Sequence, residues 1–211
     1  MEKVKIIKHP LIEHKLTRMR DVNTGSTEFR YLLRELSSLM AFEVTRNIEA
    51  QEIEVTTPLS VQARGSRVKH SEIVLIPILR AGIGMVDGVL EIIPQARVGH
   101  IGMYREPDTL KAVQYYKKLP ANISDCQMVL LIDPMLATGH TMAAALKSSR
   151  RAGAKNLSIM CLVAAPEGIE EVRKDFPDID IYTAAIDDHL DGHGYIIPGL
   201  GDAGDRIFGT K

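Results

Sequence analysis

The sequence predicts a single α/β domain built on an open, mostly parallel sheet flanked by helices, and three observations carry that reading. The chain has 211 residues, enough for one globular domain with a full core. It alternates short, continuous apolar runs with amphipathic stretches, the pattern of strands buried on both faces and connected by helices. Its charged fraction, 25%, is ordinary and its hydrophobic fraction, 45%, is sufficient for a core, which argues against wholesale disorder.

The elements follow in order. Lys5 to Pro10 is an apolar-basic lead-in, and Leu11 to Arg20 has a helical pattern. After a turn at Asn23-Thr24-Gly25, Ser26 is placed to cap a long helix running to about Gln51. Phe29, Leu32, Leu33, Leu36, Leu39, Met40 and Val44 give that helix one apolar face. Glu52 to Thr57 reads as a strand ending at Pro58. Then come a strand at Ile73–Leu79, a helix at Ile83–Ile93, a strand at Arg97–Met103 and a polar loop of a dozen residues or more. A strand at Met128–Ile132, a helix at Thr138–Ala152, a strand at Leu157–Val163, a helix at Glu167–Phe176 and a strand at Asp180–Ala185 complete the alternation. From Gly192 onward the chain carries six of its 16 glycines, too many for a helix. The division is thus an N-terminal helical arm and first strand (1–58), an α/β core (59–186) with a long loop at about 104–120, and a Gly-rich C-terminal flap (187–211).

Composition narrows the function. The net charge of -1 and the absence of Trp argue against a protein that holds nucleic acid by a bulk basic field or stacks single strands on aromatic rings. Cys126 and Cys161 lie in or beside apolar runs and read as reduced, buried thiols. The longest apolar run, Ile73–Leu79, is far too short to cross a bilayer, and the N-terminus lacks a secretory pattern. A soluble cytoplasmic protein is expected.

The strongest chemical signal is the run Met128 to Thr141. A buried strand ends in a carboxylate, Asp133, and a short loop with Gly139 leads into a helix. The first amides of a helix lack internal partners and, with the helix dipole, form a seat for a phosphate. Thr138 and Thr141 add hydroxyls, and ligands of open α/β sheets bind at this end of the strands. Asp133 is suited to accept hydrogen bonds from sugar hydroxyls. An ordinary strand-to-helix turn capped by Thr138 is the alternative. Gly82-x-Gly84-x-x-x-Gly88 is one residue too long for a dinucleotide fingerprint, and no acidic residue closes the next strand. From Arg97 to Lys118, five basic residues face two acidic ones, a local excess of +3 in a chain of net charge -1. Asp187-Asp-His-Leu-Asp-Gly-His193 mixes metal-ligating types, but its glycines break any helix that would align them, so it reads as a polar loop.

Asp133-Pro-Met-Leu-Ala-Thr-Gly139 resembles the 5-phosphoribosyl 1-diphosphate (PRPP) binding signature of type I phosphoribosyltransferases, in the form used by uracil phosphoribosyltransferases. Ile78-Leu-Arg-Ala-Gly82, Tyr104-Arg-Glu106 and the block from Gly194 to Thr210 are similar to the same family, in the same order. The resemblance implies transfer of phosphoribose from PRPP to uracil, giving UMP and diphosphate in pyrimidine salvage. It implies PRPP binding by Arg80, Arg105, Asp202 and the run Asp133, Pro134, Met135, Leu136, Ala137, Thr138, Gly139, His140 and Thr141. It further implies uracil binding by Ile196, Gly201, Asp202 and Ala203, catalytic roles for Arg105 and Asp202, and a mobile hood over the reacting centre in the basic segment. Mg²⁺ is expected mainly through PRPP, with no protein metal site. A homodimer or higher homo-oligomer and activation by GTP are also implied, whereas nucleic acid and membrane are not expected partners. Two departures stand out: His140 replaces the usual second Gly of the loop, and Pro134 follows Asp133 where many type I relatives have a second acidic residue. A PRPP-sensing regulator and an enzyme for another base remain the competing readings.

Overall fold

The computed structural model describes residues 3–69, 72–105 and 112–210; the side chain of Arg105 also lies outside the described residues. The chain opens with strand β1 (Val4–Ile6) and helix α1 (Pro10–Arg20). Pro10 begins α1, where its missing N–H costs nothing, and the His9 imidazole accepts a hydrogen bond from the Leu11 amide at 3.1 Å. Helix α2 (Ser26–Val44) follows, capped by the backbone of Gly25 rather than by Ser26. It ends seven residues before the expected Gln51. Beyond Val44 the apolar stripe gives way to Thr45, Arg46 and Asn47, and the Thr45 hydroxyl bonds back to the Ala41 carbonyl at 2.7 Å.

Strands β2 (Ala50–Thr56) and β3 (Gln62–Val68) form a separate antiparallel hairpin. Only the first of them was expected, because β3 has no apolar alternation to betray it. The core then runs β4 (Ile73–Leu79), α3 (Ile83–Ile92), β5 (Arg97–Val98), β6 (His100–Arg105) and β7 (Ala112–Lys118). A 3-10 turn at Ile123–Asp125 leads to β8 (Met128–Ile132), β9 (Met135–Leu136), α4 (His140–Arg151), β10 (Leu157–Ala164), α5 (Pro166–Asp175) and β11 (Asp180–Ile186). The segment expected as a long polar loop is largely strand: β7 pairs antiparallel with β6, and residues 106–111 at its tip lie outside the described residues.

The main sheet has the order β1-β11-β10-β8-β4-β6-β7, with β5 on β4 and β9 on β10. Every pairing except β6–β7 is parallel. Alternate residues of the central strands enter two cores. Ile73, Leu75, Leu130, Ile132, Met160 and Leu162 face α1, α2 and α3. Val74, Ile76, Val129, Leu131, Ile159 and Cys161 face α4 and α5. Both faces are covered, which is why these strands read as unbroken apolar runs. The two cysteines are buried and unbridged.

After β11 come the two-residue strands β12 (His189–Leu190) and β13 (Ile196–Ile197), paired antiparallel, and helix α6 (Ala203–Phe208). A helix here corrects the expectation drawn from glycine content. The Asp202 carboxylate accepts from the Asp205 amide at 2.9 Å, and Gly209 closes the helix in the left-handed region, so capping at both ends outweighs Gly204 inside. Among the described residues no helix is long and apolar enough to cross a membrane.

Candidate active site

Strands β4, β6 and β8 run parallel, so their carboxyl ends lie on one edge of the sheet. Asp133 follows β8 directly. Its Oδ1 accepts from the Met135 amide at 3.2 Å, which turns the chain, and β9 then pairs with the end of β10. The Pro134 carbonyl accepts from both Leu162 (3.0 Å) and Val163 (3.1 Å), so Pro134 is a buried backbone anchor. Leu136 is buried in the α4–α5 core. Met135, Ala137, Thr138, Gly139 and Thr141, with Asp133, line a small cavity of about 100 Å³ at the start of α4.

His140 turns away from that cavity. Its Nδ1 lies 3.1 Å from Glu171 Oε1 on α5, and Glu171 also pairs with Lys174 at 2.6 Å. Lys174, then His140, hold the Glu171 carboxyl below its ordinary range. The bulky residue therefore occupies space between the loop and α5, and only its backbone belongs to the loop's amide row. Gly139, at φ 78°, and Gly168 make the loop and α5 touch. A Cβ on Gly168 would stand 2.2 Å from the Ala137 carbonyl oxygen and 2.7 Å from that of Leu136. Gly168→Ala is expected to push the loop off α5. Affinity for a phosphate ester at this seat should fall about tenfold or more, because small misplacements of a binding loop are costly, and stability should fall by about 1–3 kcal/mol. Ligand titration and thermal melts check this, and an unchanged affinity would sink it.

A second cavity of about 370 Å³ adjoins the first, sharing Asp133, Met135, Ala137 and Thr141. Ile196, Gly201, Asp202 and Ala203 line its far wall, with Tyr195, Gly204, Ala81 and Tyr104. The structure thus brings both expected residue sets together around Asp133. The side chains of His140 and Arg80 stand outside both linings, and that of Arg105 lies outside the described residues. The Arg80 guanidinium is exposed at the rim, 3.4 Å from Asp205 Oδ1 and 6.0 Å from the Phe208 ring centroid. A roomier groove of about 680 Å³ lies between β1, α1 and α2 and shares no lining residue with these two cavities.

Asp133 is half-buried, in the wall the two cavities share. Burial pushes its carboxyl up to about 7, the negative charge of Asp202 adds to the shift, and the Met135 amide opposes it. Burial also pushes the neighbouring Cys161 thiol up to about 12, which leaves it inert at neutral pH. In the Asp187–His193 segment Asp187 and Asp191 hold the backbone, while His193 reaches the lining of the second cavity. Asp187 is clasped by Arg20 through two 2.7 Å contacts, and Asp191 accepts from the amides of His193 and Tyr195, both at 2.9 Å. Among the described residues no group of three or more His, Cys, Asp or Glu side chains is arranged to hold a metal. Asp133 and Asp202, converging on one cavity, suit a Mg²⁺ ion that keeps waters and arrives on phosphate oxygens.

Sequence reasoning passed over Gly168, Glu171, Asp205, Tyr195 and the clasp on Asp187. Gly168 was detectable as a glycine within the first turn of an expected helix, where it weakens the helix unless something approaches closely. The others depend on contacts between distant segments.

A model of the family "Uracil phosphoribosyltransferase" matches residues 6–210. A uracil phosphoribosyltransferase from Dictyoglomus thermophilum is 56% identical over 98% of this chain and 99% of its own length. One from Lysinibacillus sphaericus is 54% identical over the full length of both chains. Among solved structures, a protein from Aquifex aeolicus aligns with a TM-score of 0.91 at 36% identity over 97% of each chain. An adenine phosphoribosyltransferase from Trypanosoma brucei aligns with a TM-score of 0.60 over 88% of this chain and 84% of its own, and at 11% identity it shares the fold alone.

Proposed function

Because the chain belongs to the uracil phosphoribosyltransferase family, we propose that the two adjoining cavities together hold PRPP and uracil, with the 5′-phosphate in the smaller one and Asp133 in the wall they share. The reaction joins uracil and PRPP to give UMP and diphosphate, a step of pyrimidine salvage. The observation that carries the assignment of the site is the shared wall: a phosphate-sized seat at a helix start opens directly into a base-sized cavity, with one carboxylate between them.

In this reading the amides of Ala137 to Thr141 and the hydroxyls of Thr138 and Thr141 seat the 5′-phosphate. Pro134 and Leu136 fix the loop from below, Met135 lines both cavities, and Gly139 allows the close approach. His140 contributes its backbone. Asp133 accepts from the ribose hydroxyls. Arg80 leaves Asp205 to donate its planar fork to the diphosphate, and Arg105 completes the charge at that end. Backbone groups of Gly201 and Ala203 read the uracil edge, while Ile196 packs on the ring. Asp202 accepts from the attacking ring N–H. The nitrogen lone pair forms the bond to the anomeric carbon as the bond to diphosphate breaks, and the ring proton passes to the Asp202 carboxylate and from there to solvent. Bound Mg²⁺ supplies neutralisation of diphosphate charge. Catalysis is then mainly orientation and charge stabilisation.

The arm (1–58), core (59–186) and flap (187–211) serve one site, with 104–120 as its hood. The basic count of the hood and the presence of Tyr104 in the cavity wall support that role. A cytoplasmic homodimer or larger homo-oligomer is supported by apolar side chains left exposed on the β2–β3 hairpin and α2, namely Leu59, Val61 and Phe42. GTP as an activator rests on the family resemblance. Incubating the protein with PRPP, Mg²⁺ and each of uracil, cytosine, adenine and hypoxanthine is expected to yield a nucleotide from uracil alone. A purine nucleotide, or PRPP binding with no product from any base, would overturn the reading.

A further inference from the structure

The loop that runs from Ile196 to Asp202 has little ladder of its own. Strand β13 contributes two residues, paired only with β12. The rest of the loop is held by side chains from elsewhere. Asp187 Oδ2 accepts from the Gly199 amide at 2.8 Å, and Arg20 Nη1 donates to the Gly199 carbonyl at 2.8 Å. The two side chains are bonded to each other, Nη1 to Oδ2 and Nη2 to Oδ1, both at 2.7 Å. Both polar groups of the Gly199 backbone are thus gripped by one ion pair. Gly199 itself has φ 61°, and a Cβ there would lie 2.1 Å from the Ile196 carbonyl oxygen. The next carbonyl, Leu200, accepts from Arg206 Nη1 at 2.9 Å. Arg206 also donates to the carbonyls of Met19, Asp21 and Thr24, and its guanidinium stacks 4.3 Å from the Phe29 ring centroid.

We propose that the C-terminal end of α1 is a positioning platform for the base-binding loop, acting through the Arg20–Asp187 clasp on Gly199 and through Arg206 on Leu200. The proposal rests on the reading that Ile196 and Gly201 to Ala203 contact uracil. Gripped positions 199 and 200 lie between those contacts, so their placement sets the spacing at which the loop presents its backbone. Arg20 and Arg206 are positioning residues. They bear mainly on uracil, because the 5′-phosphate seat at the start of α4 is built by β8, β9 and α5.

Charge-assisted hydrogen bonds in a mostly buried setting are strong and geometrically exacting; the Asp187 side chain is 5% exposed. Lysine cannot reproduce the fork that meets both Asp187 oxygens and the Gly199 carbonyl. The test is steady-state kinetics on the full-length protein carrying Arg20→Lys, Asp187→Asn or Arg206→Lys, varying each substrate in turn. The Michaelis constant for uracil is expected to rise by about 10–10²-fold, the scale of a slightly misplaced binding loop. That for PRPP should stay within about twofold. A double variant, Arg20→Met with Asp187→Leu, leaves no buried orphan charge and so guards against misfolding. It too should lose uracil selectively while melting near the wild-type temperature. Equal rises for both substrates, or lost stability with both constants intact, would overturn the proposal. Ala203→Val in the same assay tests the reading beneath it. If that change leaves the uracil constant unmoved, the pocket assignment fails whatever the arginine variants do.

Discussion

Asp133→Asn is expected to weaken PRPP binding by about 10–10²-fold at pH 8, with far less effect on uracil, and to leave only the ligand's own pH dependence of PRPP affinity between pH 6 and 8. An ionised carboxylate accepting from sugar hydroxyls makes charge-assisted hydrogen bonds, each contributing about 1.5–3 kcal/mol, which asparagine cannot match. Burial holds the Asp133 carboxyl at about 7 in the free protein. PRPP selects the ionised form, so its affinity should fall by up to about tenfold per pH unit below 7. Diphosphate has its own titration, and the asparagine variant subtracts it. The same shift acts on stability with the opposite preference. The folded-state value lies above the ordinary 3.8, so this group's contribution is most favourable below about pH 4 and is lost as pH rises towards 7. The free Asp133→Asn protein should therefore melt at a higher temperature than wild type at pH 8. Calorimetric titration with PRPP across pH, together with melts, decides the matter. A variant that keeps a wild-type pH profile would remove the ribose role.

Arg105→Ala is expected to lower turnover by about 10²–10³-fold, the scale for losing one stabiliser of transition-state charge. Its backbone ends β6 opposite Ala112, one residue after Tyr104 in the cavity wall. Negative charge grows on diphosphate as the bond to the anomeric carbon breaks, and a permanent guanidinium charge is suited to meet it. Arg105→Lys should recover part of the loss, since the charge survives without the fork. The measurement is turnover at saturating concentrations of both substrates. A value within a few-fold of wild type would take Arg105 out of the mechanism.

The alternating core was legible because burial on both faces writes itself as continuous apolar runs. Ile73–Leu79 is predicted and observed with the same ends. The strand-loop-helix at Asp133 was legible for a related reason: a carboxylate, a glycine and two threonines are concentrated in nine residues. Exposed pairing left no such record. Strand β3 (Gln62–Val68) and strand β7 (Ala112–Lys118) bury almost nothing, so no periodicity marks them. Helix α6 was hidden by counting glycines instead of reading Asp202 and Gly209 as its two caps. The place of His140 was open in the sequence, and only the approach of Glu171 from α5 decides it. Arg20, Asp187 and Arg206 could not have been joined at all, since their partners lie up to 187 positions away.

The β2–β3 hairpin forms a sheet of its own, none of its residues is fully buried, and only Val68 at its end packs against a core. Its stability has to come from its own ladder and from facing charges such as Glu54 opposite Arg64. Such pairs weaken as ionic strength rises, whereas the apolar cores do not. Amide hydrogens of this hairpin should therefore exchange with solvent early, and sooner in high salt, while those of β4, β8 and β10 hold until the whole molecule opens. The same isolation frees the hairpin from the demands of packing, so its sequence can drift towards whatever surface it meets without disturbing the chemistry at the strand ends.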